Sequence, residues 1–250
     1  MKFVFLLAAA LIFGNQLFSQ ASFIDFQKVN PRIAGEMQTK EDTLQKQFQA
    51  AGLQWPPRQI YIRSFKYDSQ LEVWVRNNNT DPFKLFKTYK VCALAGSLGP
   101  KRLEGDYQVP EGFYYITKFD PRSAYHLALG INYPNASDRI LSDSLNPGGG
   151  IYIHGSCITV GCIPIMDPQI EEVYLLAAAA RDNGQDFIPV HIFPVRYNNP
   201  HSMEVLTKLT SDDQEMQHFD GELRQVYDYF EAHKKLPLIS IDPKGNYVVL

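Results

Sequence analysis

Leu71-Glu72-Val73-Trp74-Val75-Arg76, followed at once by Asn77-Asn78-Asn79-Thr80-Asp81-Pro82, sets the reading of the chain. Leu71, Val73 and Val75 alternate with Glu72, Trp74 and Arg76, the period of a strand with one buried face. The Asn/Asp/Pro cluster behind them is a turn into the next strand. The same period runs from Arg58 to Val91. Further turns at Gly96 to Pro100, Glu104-Gly105-Asp106 and Pro110-Glu111-Gly112 separate short β-branched or aromatic runs, among them Phe113 to Thr117 and Tyr125 to Leu129. The middle of the chain therefore reads as antiparallel sheet.

Helical patterns flank it. Thr39-Lys40-Glu41-Asp42 has the form of a helix start, with Met37, Leu44, Phe48 and Ala51 on one face and Gly52 as the stop. Asp167-Pro168 begins a second helix, with Glu171 and Glu172 early, Ile170, Val173, Tyr174 and Ala177 as its apolar positions, and Gly184 at its end. Phe187 to Val195 returns to strand, with His191 in an apolar setting. Met203, Leu206 and Leu209 mark a short helix, and Leu223, Val226, Tyr227 and Phe230 another that ends before Pro237. No internal repeat or low-complexity linker breaks the pattern. The expected class is α+β: a mostly antiparallel, sandwich-like sheet with flanking helices.

Composition narrows the function. With 250 residues, 45% of them hydrophobic, the chain can bury a sizeable core. A formal charge of −3 without long runs of either sign gives no footprint for nucleic acid. Met1-Lys2, the apolar run Phe3 to Phe13 and then Ser19-Gln20-Ala21 form a basic start, a short hydrophobic core and small residues near a cut, the pattern of a secretory leader over residues 1–21. The run is too short for a spanning anchor, which needs about 20 apolar residues. Export to the periplasm or cell envelope is expected, with no stable membrane-spanning segment after cleavage.

Chemistry concentrates in Ile151-Tyr152-Ile153-His154-Gly155-Ser156-Cys157-Ile158-Thr159-Val160-Gly161-Cys162. His154 ends a short strand beside Pro147-Gly148-Gly149-Gly150, and Cys162 follows it by eight positions, with Gly155 and Gly161 permitting tight turns between them. A thiol becomes an effective nucleophile when an imidazole takes or shares its proton, so the pair points to covalent acyl chemistry. The Gly161 and Cys162 amides are the candidate oxyanion donors. Two other readings compete. Cys92, Cys157 and Cys162 are an odd set for an exported chain, and a Cys157–Cys162 disulfide would reduce the loop to a staple and leave Cys92 buried. A zinc site could use His154, Cys157 and Cys162 with His191 or His126 as the fourth ligand, though the spacing of a usual structural site is missing. No G-x-S-x-G, phosphate-cradling loop or H-E-x-x-H is present.

The ordered set Gly99-Pro100-Lys101, Glu104-Gly105-Asp106, Pro110-Glu111-Gly112, Tyr125-His126-Leu127, Asn132-Tyr133-Pro134-Asn135, His154-Gly155 and Val160-Gly161-Cys162 resembles the L,D-transpeptidase catalytic domain, in particular its murein transpeptidase/amidase-like short-loop branch. The resemblance spans roughly residues 58–195. It implies a peptidoglycan stem peptide as substrate, a thioester acyl-enzyme on Cys162, His154 as the base, the Gly155 carbonyl orienting that base, and Gly161 contributing to the oxyanion environment. No metal or organic cofactor is implied. Many members read Ser/Thr-His-Gly-Cys followed by isoleucine and arginine, whereas this chain has Thr159-Val160-Gly161-Cys162-Ile163-Pro164 and lacks both the second histidine and the arginine. Hydrolytic release of a crosslinked partner, and a catalytically inactive wall-binding module, are the alternatives. His126, Tyr125, Arg122 and Arg139 are candidates for substrate contact. Expected boundaries are 1–21 for the leader, 22–57 for an N-terminal helical segment, 58–197 for the catalytic domain and 198–250 for a C-terminal helical extension.

Overall fold

The computed structural model describes residues 21–250, so the expected leader, apart from Ala21, lies outside the described residues. Elements follow in the order α1 (Phe23–Lys28), α2 (Pro31–Ala50), β1 (Gln59–Phe65), β2 (Gln70–Arg76), β3 (Lys84–Lys90), β4 (Gly112–Asp120), β5 (Ala128–Ile131), α3 (Ala136–Leu141), β6 (Tyr152–His154), β7 (Ile163–Pro164), α4 (Asp167–Asp182), β8 (Pro189–Phe193), α5 (Pro200–Leu209), α6 (Gln214–His233), β9 (Ile239–Ile241) and β10 (Tyr247–Val249). The strands β3-β2-β1-β8-β4-β5-β6-β7 form one sheet, and β9 and β10 a separate hairpin. Five of the seven pairings in the large sheet are antiparallel; β1 with β8 and β6 with β7 run parallel. The class is α+β, as the alternation of the middle segment led one to expect.

Both faces of the central strands are covered. Ile60 and Ile62 of β1 join a core with Leu44 and Phe48 of α2 and Ile170 and Leu176 of α4. On the other face Phe65 meets Phe193, Leu223 and Tyr227, while Tyr61 meets Trp74 and Phe230. Helix α6 thus seals the second face, and β2 is buried throughout its middle. Glu72, expected to face solvent, is buried against the Arg63 and Arg196 guanidiniums and the Trp74 indole. Arg63 in turn lies within 5.3 Å of the Phe65, Trp74, Tyr227 and Phe230 ring centroids and reaches Glu231 of α6 at 2.6 Å. A charge withdrawn from water needs such pairing, and it ties the C-terminal segment to the sheet.

Two local expectations are corrected. Helix α2 begins at Pro31, capped by the Asn30 side chain, not at Thr39; the Thr39 hydroxyl bonds back to the Gly35 and Glu36 carbonyls within the helix. The strand read from Tyr125 begins only at Ala128, because His126 takes a left-handed φ of 73°. The extension from residue 198 carries a β-hairpin besides its helices. No helix among the described residues is long and apolar enough to cross a membrane.

Cys92, just beyond β3, is bonded to Cys157 in the loop after β6, and Cys162 is free. The Cys157–Cys162 staple is therefore excluded, and a zinc set that needs the Cys157 thiolate is lost with it. The bridge spans a sequence separation of 65. Closing a loop of that size in the unfolded chain stabilises the native state by about 4 kcal/mol in the chain-entropy treatment. The double substitution Cys92→Ala/Cys157→Ala is expected to lower the Tm by on the order of 10 °C. Melting curves recorded with and without reductant check this: reductant should lower the wild-type Tm and leave that of the variant unchanged.

Candidate active site

Strand β6 carries His154 to its C-terminal end, between β5 and β7, where the ring is buried with 1% exposure. A strand-end histidine of this kind is expected at a sheet edge or mouth; β7 pairs along the outer side of β6, so the strand is not the edge, while His154 lines a cavity. Immediately afterwards the chain turns sharply. Gly155 N–H donates to the Leu127 carbonyl at 3.1 Å and Ser156 N–H to Asp167 Oδ1, at the start of α4, at 2.7 Å. His154 Nδ1 lies 2.5 Å from the Gly155 carbonyl oxygen. A carbonyl only accepts, so Nδ1 bears the proton and Nε2 keeps a free lone pair. That Nε2 is buried without a hydrogen-bond partner. The Tyr125 ring lies over the imidazole at 4.7 Å between centroids.

Cys162 sits at the end of a turn clamped by one side chain. The Gly161 and Cys162 amides both donate to Thr159 Oγ1, at 3.1 and 2.8 Å, and the Thr159 hydroxyl donates to the Cys162 carbonyl at 2.8 Å. Gly161 adopts φ 143°, and a Cβ there would lie 3.1 Å from the Gln108 carbonyl oxygen, so glycine is required on both counts. The Cys162 thiol donates to the Gly150 carbonyl at 3.7 Å.

His154 and Cys162 line one cavity of about 380 Å³, together with Arg122, Tyr125, Tyr152, Ile158, Thr159 and Val160. A second cleft of about 210 Å³ also has Cys162 in its wall, with Lys101, Glu104, Tyr107, Gly148 to Gly150 and Gly161. Of the candidate substrate contacts, Arg122 and Tyr125 reach the first cavity. His126 and Arg139 do not line either cleft. The His126 Nε2 pairs with Glu171 of α4 at 2.6 Å, and Arg139 on α3 donates to the Pro134 carbonyl at 3.2 Å. His126 instead backs the site, since its Cβ would lie 2.9 Å from a Cβ placed on Gly155. Its surroundings are ionic: Glu171 also holds Lys40 at 2.9 Å, and burial with the neighbouring Glu171 raises the Glu36 carboxyl above its ordinary range. Glu36, His126 and Glu171 bring their ligand atoms within 4.8 Å of one another, the one metal-capable grouping among the described residues. The Lys40 ammonium already sits on this group and supplies the balancing charge.

Burial lowers the His154 imidazole below its ordinary value, against the pull of the Gly155 carbonyl. Burial likewise raises the Cys162 thiol, partly offset by the Tyr152 amide. Both shifts favour a resting pair of neutral thiol and neutral imidazole. No hydrogen bond joins the two side chains in the free protein; catalytic bonds of this type often close only on substrate binding. A specific pH dependence follows. Turnover should hold down to the ordinary histidine value of 6.5 and fall below it, as the lowered imidazole finally takes a proton. Alkylation of Cys162 by iodoacetamide should be slow at neutral pH and climb through and above 9.0. Alkylation independent of pH down into the acid range would mean a preformed ion pair and contradict this account.

Neither the Cys92–Cys157 pairing nor the Thr159 clamp is among the sequence expectations; an odd cysteine count is the only signal for the first, and for the second the Ser/Thr that stands three positions before the cysteine in many family members. Comparison with known proteins gives the class. The chain is 33% identical over 192 residues to YafK of Escherichia coli strain K12, whose name places it among the L,D-transpeptidases, covering 76% of this chain and 73% of that protein; the O157:H7 form matches equally. The chain belongs to the L,D-transpeptidase family. Among solved structures, the helical cell shape determining protein Pgp2 of Campylobacter jejuni is 20% identical with a TM-score of 0.43, over 73% of this chain and 72% of that one. L,D-transpeptidase 1 of Mycobacterium tuberculosis is 13% identical with a TM-score of 0.31, over 54% and 61%. No protein-family model matches the chain.

Proposed function

We propose that this protein is an exported cysteine acyltransferase, an L,D-transpeptidase that acts on peptidoglycan stem peptides in the periplasm or cell envelope and remodels or crosslinks the wall. One observation carries the reading: a free thiol and a buried imidazole, its proton held on the far nitrogen by a backbone carbonyl, line the same cavity. In the first half-reaction His154 Nε2 takes the Cys162 proton as the sulfur attacks the stem-peptide carbonyl, whose π pair moves to oxygen. Collapse expels the leaving amine, which takes the proton from His154, and leaves a thioester. In the second, an acceptor amine attacks the thioester, passes a proton to His154, and the thiol is restored when the imidazolium returns it. Arg122, which lines the larger cavity, would pair with a stem-peptide carboxylate, and Tyr125 would pack against the peptide. Two clefts that share Cys162 in their walls support a donor and an acceptor reaching it. Neither step calls for a metal or organic cofactor.

Incubation with defined muropeptides, with and without an added amine, followed by mass analysis, tests this. An exchange product containing the amine is the expected result. Cleavage alone, with the amine ignored, would instead make the protein a peptidoglycan hydrolase using the same two residues, and binding of sacculi without any product would make it an inactive wall-binding module.

A further inference from the structure

The two amides suited to hold an acyl oxygen are already occupied, and by the protein itself. Gly161 N–H and Cys162 N–H converge on Thr159 Oγ1, which also donates to the Cys162 carbonyl. A hydroxyl has two lone pairs and one proton, so this one is fully spent. It cannot donate to an incoming oxyanion without giving up the Cys162 carbonyl, and the amides cannot serve the oxyanion until the hydroxyl leaves. We propose that Thr159 is a positioning residue: its hydroxyl stands in for the acyl oxygen, keeps both amides aimed at one point in the free protein, and yields that point to the substrate carbonyl as Cys162 attacks.

Three features support the exchange. Thr159 is partly exposed and lines the same cavity as Cys162 and His154, so its side chain borders the space from which the carbonyl would arrive. The backbone of the turn is held in place, because the Gln108 carbonyl lies against Gly161 and Gln108 is itself held by Ser97 and Gly99. The neighbouring Cys157 is tied to Cys92, so the preceding part of the loop is anchored while the threonine side chain needs only a χ1 rotation to withdraw. Donors aligned beforehand need little reorganisation at the moment of reaction, which is the source of their catalytic effect.

The inference rests on the acyl-transfer reading, and a pair of reagents separates the two. Iodoacetamide alkylates a thiol at a saturated carbon, so no oxyanion forms, whereas a β-lactam or an activated ester acylates it through one. In the full-length protein Thr159→Val keeps the shape and removes the hydroxyl. It is expected to lower the rate of Cys162 acylation by about tenfold to a hundredfold, somewhat less than the loss of an oxyanion donor outright, while the alkylation rate stays within about twofold. Thr159→Ser, which restores the hydroxyl, should recover most of the acylation rate. A Thr159→Val protein that acylates as fast as wild type overturns the inference. So does an equal loss of alkylation and acylation, which would mark a purely structural clamp, and so does a failure of Thr159→Ser to recover. If Thr159→Val does not fold, Thr159→Ser and Thr159→Ala decide: only serine offers the two amides an acceptor, so equal acylation rates would overturn the inference. Wild-type protein that alkylates at Cys162 but never acylates would defeat the acyl-transfer reading and this inference together.

Discussion

Cys162→Ala should abolish muropeptide turnover, a loss of roughly 10⁴-fold or more, as removal of a nucleophile does elsewhere, while leaving the Tm nearly unchanged. Cys162 is only partly buried, and its thiol makes one long hydrogen bond, to the Gly150 carbonyl, so little folding energy is lost with it. His154→Ala should lower turnover by about 10²- to 10⁴-fold, the range a positioned base supplies. It also removes a buried ring that packs under Tyr125, so some loss of stability accompanies it. Measuring turnover and melting together separates the two effects. Retained activity in Cys162→Ala would remove the thiol from the mechanism.

The second large effect belongs to a residue with no side chain. A Cβ on Gly155 would lie 2.5 Å from Asp167 Oδ1, 2.7 Å from the Tyr125 carbonyl oxygen and 2.9 Å from the His126 Cβ. Two of these neighbours cannot swing away cheaply: Asp167 holds the Ser156 amide, and Tyr125 presents backbone. Gly155→Ala must therefore displace the turn whose carbonyl fixes the His154 tautomer. We expect a destabilisation of about 1–3 kcal/mol and a fall in turnover of about a hundredfold, the cost of displacing a catalytic group by about 1 Å. Gly35→Ala is the control. Nothing lies within 4 Å of a Cβ there, and the site is inside α2, so this change should be neutral or stabilising by up to about 1 kcal/mol. Equal behaviour of the two variants would mean that Gly155 is not sterically constrained.

How far the chain could be read depended on how local each signal was. The alternation at Leu71 to Arg76 and the capped pattern from Asp167 became β2 and α4 because neighbours in sequence decide both. The burial of Glu72 was not legible, since it depends on α6 arriving from more than 140 positions away to close the second face. Asn30-Pro31 has the cap and N1 proline of a helix start, and the acidic Thr39 to Asp42 segment competes with it in the sequence. Tyr125 to Leu129 has strand composition, yet packing against Gly155 and the Glu171 pairing turn His126 out of the ladder.

The site divided in the same way. Cys162, His154 and the flanking glycines stood out because their chemistry and spacing lie within twelve residues. The partner of Cys157 could not be deduced from three cysteines, and the role of Thr159 depends on the shape of a turn whose hydrogen bonds appear only once it is folded. His126 and Arg139 suit substrate contact by residue type alone; the fold pairs the first with Glu171 behind the site and puts the second on the outside of α3.

The central claim is that Cys162 carries the acyl group, and intact-protein mass spectrometry after acid quenching of a reaction with a defined muropeptide measures it most directly. A mass increase equal to the donor fragment, mapped to Cys162, released by hydroxylamine as a thioester is, and absent from Cys162→Ala, is the result expected. Product formation with no adduct at Cys162 at any quench time, or an adduct that persists in Cys162→Ala, would contradict it.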